Sequence, residues 1–150
     1  MYTYSDAKHM PYTAQQMFEL VSDIESYQDF LPWCLASRIT KRQKLKDRDI
    51  LSADLLIGYK MFRETYTSRV ELIRGEQTFQ VLAQNLNGPF KEMKNHWTMI
   101  DRVEGGCNLS FDVAFEFKSF LLNQMMSVFF QEATQKMISS FEARARTLYG

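Results

Sequence analysis

The longest hydrophobic pattern in the chain is helical and occupies its C-terminal end. Residues Ser119 to Leu148 include neither proline nor glycine, and apolar side chains recur there every three or four positions. This spacing predicts a single helix about 45 Å long, at about 1.5 Å per residue, with one apolar stripe. The stripe consists of Leu122, Met126, Phe129, Ala133, Met137, Phe141, Ala145 and Leu148. Phe120, Leu121 and Val128 lie outside it, so the helix start is expected to meet a ligand, a partner or a membrane.

From residue 35 to residue 117 the hydrophobic period shortens to two. The pattern is clearest from Cys107 to Phe117, where apolar odd positions alternate with mostly polar even positions. Such alternation predicts antiparallel strands with one buried face and one solvated face. A second strand face consists of Ala53, Leu55, Ile57, Tyr59 and Met61. The turn sequences that divide the region into about six strands are Lys46-Asp47, Arg74-Gly75, Asn87-Gly88-Pro89 and Glu104-Gly105-Gly106.

The N-terminal segment predicts one strand followed by two short helices. Residues 2–10 alternate in polarity. Thr13 is placed to cap a first helix and Asp23 to cap a second, which Pro32 ends. The predicted fold is therefore α+β: a curved antiparallel sheet of about seven strands wrapped around the C-terminal helix, with two short helices after the first strand. A chain of 150 residues is expected to form one domain, residues 1–150.

The predicted inward faces carry large and adaptable side chains, since the sequence has 12 Phe, 7 Tyr and 9 Met. Methionine fits irregular spaces and is frequent where the apolar partner varies. These residues suit either a solid core or an internal cavity, because both require the same inward alternation. The surplus of apolar side chains at the start of the helix favours a cavity.

The charge balance argues against a dedicated nucleic-acid-binding protein. The formal net charge is zero, with 18 basic and 18 acidic residues, whereas such proteins have a basic excess. One local run is basic and contains Lys41, Arg42, Lys44, Lys46 and Arg48. It is expected to be a solvated hairpin tip, and the alternative is weak contact with anionic lipid or RNA phosphate.

The sequence offers little catalytic or metal chemistry. His9 and His96 have no metal-ligand spacing with other residues, and no nucleophile or phosphate-binding motif is present. Cys34 and Cys107 are far apart, and no secretory segment opens the sequence, so free thiols in a reducing compartment are expected. No apolar run is long enough to cross a bilayer. We therefore predict a protein that is not an enzyme and holds no metal.

Five segments resemble one known family, the coenzyme Q-binding START-like proteins of the polyketide cyclase/dehydrase and lipid transport superfamily. These segments are Tyr27 to Cys34, Gly58 to Val70, Asn87 to Lys91, Phe115 to Ser119 and Phe141 to Ala145. They occur in the family's order, and the match extends over essentially the whole chain. The ribosome-association toxins of bacteria are related to this family. The triplet at residues 32–34 and the last segment resemble the quinone-binding branch more closely.

The resemblance implies a helix-grip fold with an apolar cavity that holds ubiquinone as a bound lipid, with no other cofactor. The implied role is a lipid chaperone or carrier that supports respiratory electron transfer and ubiquinone biosynthesis. The implied location is cytoplasmic and peripheral to the inner membrane in a bacterium, or the matrix side of the mitochondrial inner membrane in a eukaryote. A carrier of this kind makes transient contact with the membrane surface. The apolar helix start is equally suited to form a homodimer.

Strand parity and the resemblance together select the residues expected to line the cavity. They are Trp33, Leu55, Ile57, Tyr59, Phe79, Val81, Met93, Trp97, Phe111, Phe115, Met126, Phe129 and Met137. Glu64 and Asn95 share the inward parity and are expected to contact the quinone head group, unless Glu64 lies at the cavity rim.

Two other functions are compatible with the sequence. A toxin-like protein would bind the large ribosomal subunit through residues 41–48 and block subunit joining, as the resemblance implies for the related toxins. An enzyme of the cyclase or aromatase type would need a buried acid or base, for which Glu64 and Tyr66 are the candidates.

Overall fold

The computed structural model describes residues 1–59 and 62–150, so Met61, predicted to face inward, lies outside the described residues. Seven strands form one antiparallel sheet in the order β1-β7-β6-β5-β4-β3-β2. This confirms the sheet predicted from the period-two alternation. The strands are β1 (Tyr2–Met10), β2 (Cys34–Lys44), β3 (Arg48–Tyr59), β4 (Phe62–Arg74), β5 (Thr78–Asn85), β6 (Phe90–Asp101) and β7 (Cys107–Phe117).

The helices also lie where the sequence placed them. They are α1 (Ala14–Ser22), a short 3₁₀ helix (Ile24–Ser26), α2 (Tyr27–Phe30) and α3 (Phe120–Tyr149). Thr13 caps α1 as predicted, because its hydroxyl accepts from the Gln16 amide at 3.0 Å while the Gln16 side chain accepts from the Thr13 amide at 2.9 Å. Asp23 makes no capping bond to the backbone, which corrects that prediction. Its carboxylate accepts from the Ser26 hydroxyl at 2.6 Å instead.

The long helix α3 is attached to the sheet at its start and to α1 at its end. At its start, the Asn123 carboxamide bonds the backbone of Phe117, accepting from its amide at 2.9 Å and donating to its carbonyl at 3.0 Å. At its end, the Tyr149 hydroxyl donates to the Gln16 carbonyl at 2.9 Å. Within the described residues, no helix has the combination of length and hydrophobicity that crossing a membrane requires.

The inner face of the sheet is covered unequally along its length. The buried residues of α3 all lie from residue 134 onward: Thr134, Ile138, Phe141 and Ala145. The end of the sheet under residues 138–145 also carries α1, which buries Met17, Phe18 and Val21 against it. Residues 120–133 of α3 include no buried residue, and they cover the other end of the sheet. A solid core therefore fills one end of the grip, and the opposite end is left less tightly packed.

The turn before β6 supports this second end. Gly88 has a φ of +96°, and a Cβ there would approach the Tyr66 Cβ to 2.5 Å. Only glycine tolerates both the conformation and the contact. The Asn87 side chain accepts from the Thr67 amide at 2.8 Å, which fixes the turn against β4. The turn thereby holds Tyr66 in the inner wall of the sheet.

A buried carboxylate joins three strands at the packed end. Asp49 is only 4% exposed, and it accepts from Arg42 on β2 at 2.8 Å and from both terminal nitrogens of Arg74 on β4 at 3.2 Å. Hydrogen bonding from Arg74, assisted by Arg42, lowers the pKa of this carboxyl group. The ion pairs therefore stabilise the folded state when Asp49 is charged.

Asp49→Asn is expected to reduce stability at neutral pH by about 2 kcal/mol, since it removes charge-assisted hydrogen bonds. The lowered pKa belongs to the folded state, so the stabilisation is complete above the ordinary carboxyl value of 3.8 and is lost as the pH falls through the folded-state pKa. The difference between wild type and variant should therefore shrink in acid. Urea unfolding at several pH values measures it, and a constant difference would contradict a stabilising role for the charged form of Asp49.

Candidate functional site

An apolar cavity of about 180 Å³ lies between the sheet and the first half of α3. It occupies the end of the grip that α1 does not reach. One wall comes from strands β3, β4, β6 and β7, and the opposite wall comes from the helix. The lining residues are Trp33, Ile57, Gly58, Tyr59, Phe62, Tyr66, Phe90, Met93, Asn95, Val113, Phe115, Phe117, Met126, Phe130, Ala133, Thr134 and Met137.

Most of the residues selected from the sequence lie at this end. Eight of them line the cavity itself: Trp33, Ile57, Tyr59, Met93, Asn95, Phe115, Met126 and Met137. Phe129 lines a small pocket of about 20 Å³ that adjoins the cavity, and its ring centroid is 5.8 Å from that of Tyr59. Because the alternation continues to the ends of the strands, parity placed these residues on the correct face.

Five selected residues belong to the solid core instead: Leu55, Phe79, Val81, Trp97 and Phe111. They face inward as predicted, but the packed end of the grip leaves no space beside them. Phe79 packs against Phe18 of α1 with ring centroids 5.1 Å apart, and Trp97 lies 4.3 Å from Phe111. Leu55 is two residues nearer the packed end of β3 than Ile57, which reaches the cavity.

Glu64 is exposed and does not line the cavity. It has the inward parity of Phe62 and Tyr66 and pairs with Ile57 across the ladder. However, β4 pairs with β5 only from Ser68 onward, so Glu64 lies on a two-stranded extension of the sheet. Its carboxylate therefore reaches solvent at the rim, which corrects the inward alternative for this residue.

Several lining residues were not selected from the sequence. They are Gly58, Phe62, Tyr66, Phe90, Val113, Phe117, Phe130, Ala133 and Thr134. Strand parity was a sufficient signal for Phe62, Tyr66 and Phe117, because each shares the inward face of its strand with a residue that was selected. No periodic signal was available for Phe90, because the register shifts between Phe90 and Glu92. Gly58 has the opposite parity to Ile57 and Tyr59, so strand parity could not select it.

The two walls differ in stiffness. On the sheet side, Phe90 stacks on Phe117 with centroids 4.9 Å apart and meets Tyr66 edge-on at 5.2 Å. Such aromatic clusters restrict one another's rotation. On the helix side, Met126 and Met137 have flexible, polarisable side chains. The cavity thus combines a rigid aromatic wall with one that adapts its shape.

Few polar groups face the cavity. The Asn95 side-chain oxygen is buried and has no hydrogen-bond partner among the described residues. Burial raises the pKa of the Tyr66 phenol, so its hydroxyl stays protonated at neutral pH. The Thr134 hydroxyl already donates to the Phe130 carbonyl at 2.7 Å. The Asn95 carboxamide is therefore the cavity group with most to gain from a polar ligand atom.

A larger depression, of about 460 Å³, lies on the outer face of the sheet. Its charged and polar groups already pair with protein groups. Arg69 bonds Glu71 at 2.8 Å, and Asp112 accepts from the Ser5 hydroxyl at 2.6 Å. His96 contacts Gln80 at 2.8 Å. This surface resembles an ordinary solvated sheet face, so the smaller apolar cavity is the better candidate for a ligand site.

The described residues provide little reactive chemistry. No group of three or more His, Cys, Asp or Glu side chains in this part of the chain is arranged to hold a metal. Both cysteines are buried, and burial raises the pKa of the Cys34 thiol, which keeps it protonated. The arrangement is suited to bind an apolar ring with one polar contact.

A long helix held by a curved seven-stranded sheet around an apolar cavity defines the helix-grip class of START-like domains. A START superfamily protein from Mycobacterium smegmatis has this fold, with a TM-score of 0.77, 15% identity, and coverage of 97% of this chain and 98% of its own. The chain belongs to the polyketide cyclase/dehydrase and lipid transport family, whose sequence pattern matches residues 10–142. This confirms the family predicted from the five segments.

Relatives of two kinds are similar to this chain. A ribosome association toxin, RatA, from Rickettsia prowazekii is 35% identical over 147 residues, covering 97% of each chain. The mitochondrial coenzyme Q-binding protein COQ10 homolog B from Xenopus laevis is 32% identical over 151 residues, covering 98% of this chain and 59% of its own length. The preference for the quinone-binding branch therefore stays a prediction.

Proposed function

We propose that this protein binds a polyprenylated quinone, with ubiquinone as the leading candidate, and carries it without transforming it. The observation that carries the proposal is the cavity, whose aromatic wall contains the buried side-chain oxygen of Asn95, which has no hydrogen-bond partner among the described residues. A flat quinone ring is complementary to this arrangement. The named activity of the Xenopus relative, coenzyme Q binding, supports the same ligand class.

The cavity volume indicates which part of the ligand it encloses. A cavity of about 150 Å³ lined by apolar side chains accepts one benzene ring in another protein, whereas drug-sized ligands need about 300–1,000 Å³. The volume of about 180 Å³ therefore suits the ring alone. In this proposal the isoprenoid tail leaves through the small adjoining pocket lined by Tyr59, Phe62, Met125 and Phe129, which we call the cavity mouth.

Asn95 is proposed to contact the head group. Its amide nitrogen donates to a quinone carbonyl, and its oxygen accepts from the hydroxyl of the reduced quinol. A carboxamide serves both redox forms because it contains a donor and an acceptor. Glu64 is exposed and takes no part in this contact.

Asn95→Leu is expected to reduce quinone retention by about tenfold while raising the stability of the ligand-free protein by about 1 kcal/mol. The reason is that a buried polar group without a partner is unfavourable until a ligand satisfies it. Met99→Leu, in the solid core of the same strand and away from the cavity, is the control and should change neither quantity appreciably. Equal retention by the two variants would remove Asn95 from the site.

The proposed role is that of a chaperone or carrier that supports respiratory electron transfer and quinone biosynthesis at the inner membrane. The mitochondrial location in the name of the Xenopus relative is compatible with such a site. A carrier leaves its ligand chemically unchanged, whereas a cyclase or aromatase would need Tyr66 for a reaction. Tyr66→Phe should therefore change the amount of quinone that is retained, while the molecule that is recovered stays chemically the same.

Ribosome association is the second candidate function, and the similarity to the Rickettsia toxin supports it. The basic run lies at the end of β2 and in the β2–β3 turn. Lys41, Lys44 and Lys46 are exposed and make no ion pair with a described residue, whereas Arg42 is engaged by Asp49. Three free lysines on one edge are suited to contact RNA phosphates.

Lys44→Glu combined with Lys46→Glu is expected to abolish co-sedimentation with the large ribosomal subunit if this candidate is correct. Lys91→Glu with Lys94→Glu changes the net charge equally elsewhere on the surface and should leave sedimentation intact. If both pairs weaken binding alike, the contact is nonspecific attraction. Absence of wild-type co-sedimentation would exclude this function.

A further inference from the structure

The first half of α3 has an exposed face without a single charged residue. Phe120 is 76% exposed, Leu121 65% and Val128 74%. Gln124, Ser127 and Gln131 complete this face, and all three are exposed. The stretch from Ser119 to Gln131 contains no Asp, Glu, Lys or Arg. We refer to these six outward residues of the helix start as the apolar face.

The part of the same helix after Gln131 is different. Its outward residues include Glu132 and Lys136, which form an ion pair at 3.1 Å, and the exposed Gln135 and Ser139. An outward helix face in water normally carries such charged residues. The change occurs within one helix, close to Thr134, its first buried residue.

The opposite side of the helix start faces the ligand site. Met126 and Phe130 line the cavity, and Leu122 and Phe129 line its mouth. One short helical segment therefore separates the cavity from the apolar face. A surface bound to this face would lie about one helix diameter, about 10 Å, from the cavity and its mouth.

We infer that the apolar face docks on an anionic lipid bilayer and lies in the interface, with the cavity on the opposite side of the helix. A helix segment with large exposed apolar residues and no charge on that face inserts shallowly among head groups and does not span the bilayer. The inference deepens the proposed function by naming the surface from which the quinone enters, and it rests on that function for the identity of the cargo.

Flanking charges indicate the kind of bilayer. Lys118 immediately precedes the helix, is exposed, and makes no ion pair with a described residue. Arg63 is also exposed without an ion pair to the described residues, and it follows Phe62, whose ring centroid lies 5.6 Å from that of Phe117. Glu64, next to Arg63 on β4, is an exposed acid, so these two cations leave a local excess of positive charge among the residues named here. Basic groups beside an apolar helix face favour anionic head groups.

The cavity volume gives an independent reason for such a position. With room for about one ring, the protein leaves an isoprenoid tail outside the grip. Each methylene exposed to water costs about 0.8 kcal/mol, so a tail in solvent would be strongly unfavourable. Docking through the apolar face brings the cavity within about one helix diameter, about 10 Å, of the lipid, so that an isoprenoid tail reaches the bilayer while the ring occupies the cavity.

The test is flotation of the purified protein with vesicles of phosphatidylcholine and phosphatidylglycerol. Three proteins are compared: wild type, Leu121→Ser/Val128→Ser, and Leu45→Ser/Val103→Ser. The last removes the same two side-chain types from exposed positions in other turns of the fold. Neither pair of substituted residues lines the cavity. All four side chains are exposed, so the three proteins should fold, and circular dichroism verifies this.

We expect wild type and the Leu45/Val103 variant to float with the vesicles and the Leu121/Val128 variant to bind at least about tenfold more weakly. Equal flotation of all three proteins, or of none, would overturn the inference. Sedimentation of the proteins without lipid measures their oligomeric state and so tests whether a second copy of the chain binds the apolar face. A wild-type dimer that becomes monomeric only in the Leu121/Val128 variant would assign the face to self-association and also overturn it.

Quinone retention, measured on the same samples, separates this inference from the proposed function. Wild type that floats through the apolar face but retains no quinone would support docking and contradict the proposed cargo. Wild type that retains quinone but does not float would contradict docking alone. The Leu121/Val128 variant is expected to retain quinone as wild type does and to release it to vesicles more slowly.

Discussion

Met126→Asp is expected to abolish retention of a prenylated quinone. Met126 lines both the cavity and its mouth, so a ligand that enters passes its side chain. A carboxylate at this position would face apolar groups and the aromatic ring of the ligand without a compensating partner. Burial of an unpaired charge costs several kcal/mol, which exceeds what a single ring contributes to binding. Quinone that co-purifies with the protein, measured in organic extracts, gives the readout.

Gln135→Asp is the matched control, because it adds the same charge to an exposed position on the same helix. It should retain quinone as wild type does. Phe115→Asp places the charge on the sheet wall and should also abolish retention, which separates an effect on the cavity from an effect on the helix. Quinone retained at the wild-type level by a folded Met126→Asp protein would show that the ligand lies elsewhere.

Phe141→Ala is expected to lower the free energy of unfolding by about 3–5 kcal/mol. Phe141 is 3% exposed and anchors the second half of α3 to the packed end of the sheet. Its ring centroid lies 4.9 Å from that of Trp97, 5.2 Å from Phe30 and 5.5 Å from Tyr27. Truncation leaves a cavity among three large aromatic groups that cannot collapse into it.

Urea unfolding monitored by circular dichroism measures this loss. Leu148→Ala on the same helix removes an exposed side chain and should change stability by less than about 0.5 kcal/mol. A loss for Phe141→Ala as small as that of the control would mean that the helix is held mainly through its first half. That outcome would contradict the division into a packed end and a cavity end.

Local periodicity accounts for what the sequence predicted well. The alternation from Cys107 to Phe117 and the three-to-four spacing in α3 report which face of each element is buried, and both depend only on neighbours in the chain. Thr13 is likewise a local signal, because a capping box involves residues three positions apart. The seven strands and the long helix followed from such signals.

The position of the cavity could not be predicted in the same way. Phe79 and Phe115 have equivalent inward positions on their strands, yet one is in the solid core and the other lines the cavity. The difference arises from α1, which packs over β5 and β6 and fills that end. Where a short helix docks is a tertiary property that no strand pattern reports.

The inward acids show the same limit. Asp49 and Glu64 both occupy inward parity positions, but Asp49 is buried between two arginines and Glu64 is exposed. Asp49 lies where three strands meet, so the side chains of β2 and β4 enclose it. Glu64 lies where only two strands continue. Parity fixes the direction of a side chain, and the number of neighbouring strands decides its burial.

The central claim is that the cavity holds the ring of a prenylated quinone. Mass spectrometry of organic extracts from protein purified without detergent tests it most directly, with the quinone quantified against protein. We expect a stoichiometric prenylated quinone in the wild-type extract. A folded wild-type protein whose extract contains no such lipid, and which takes up none when quinone is supplied in vesicles, would contradict the claim.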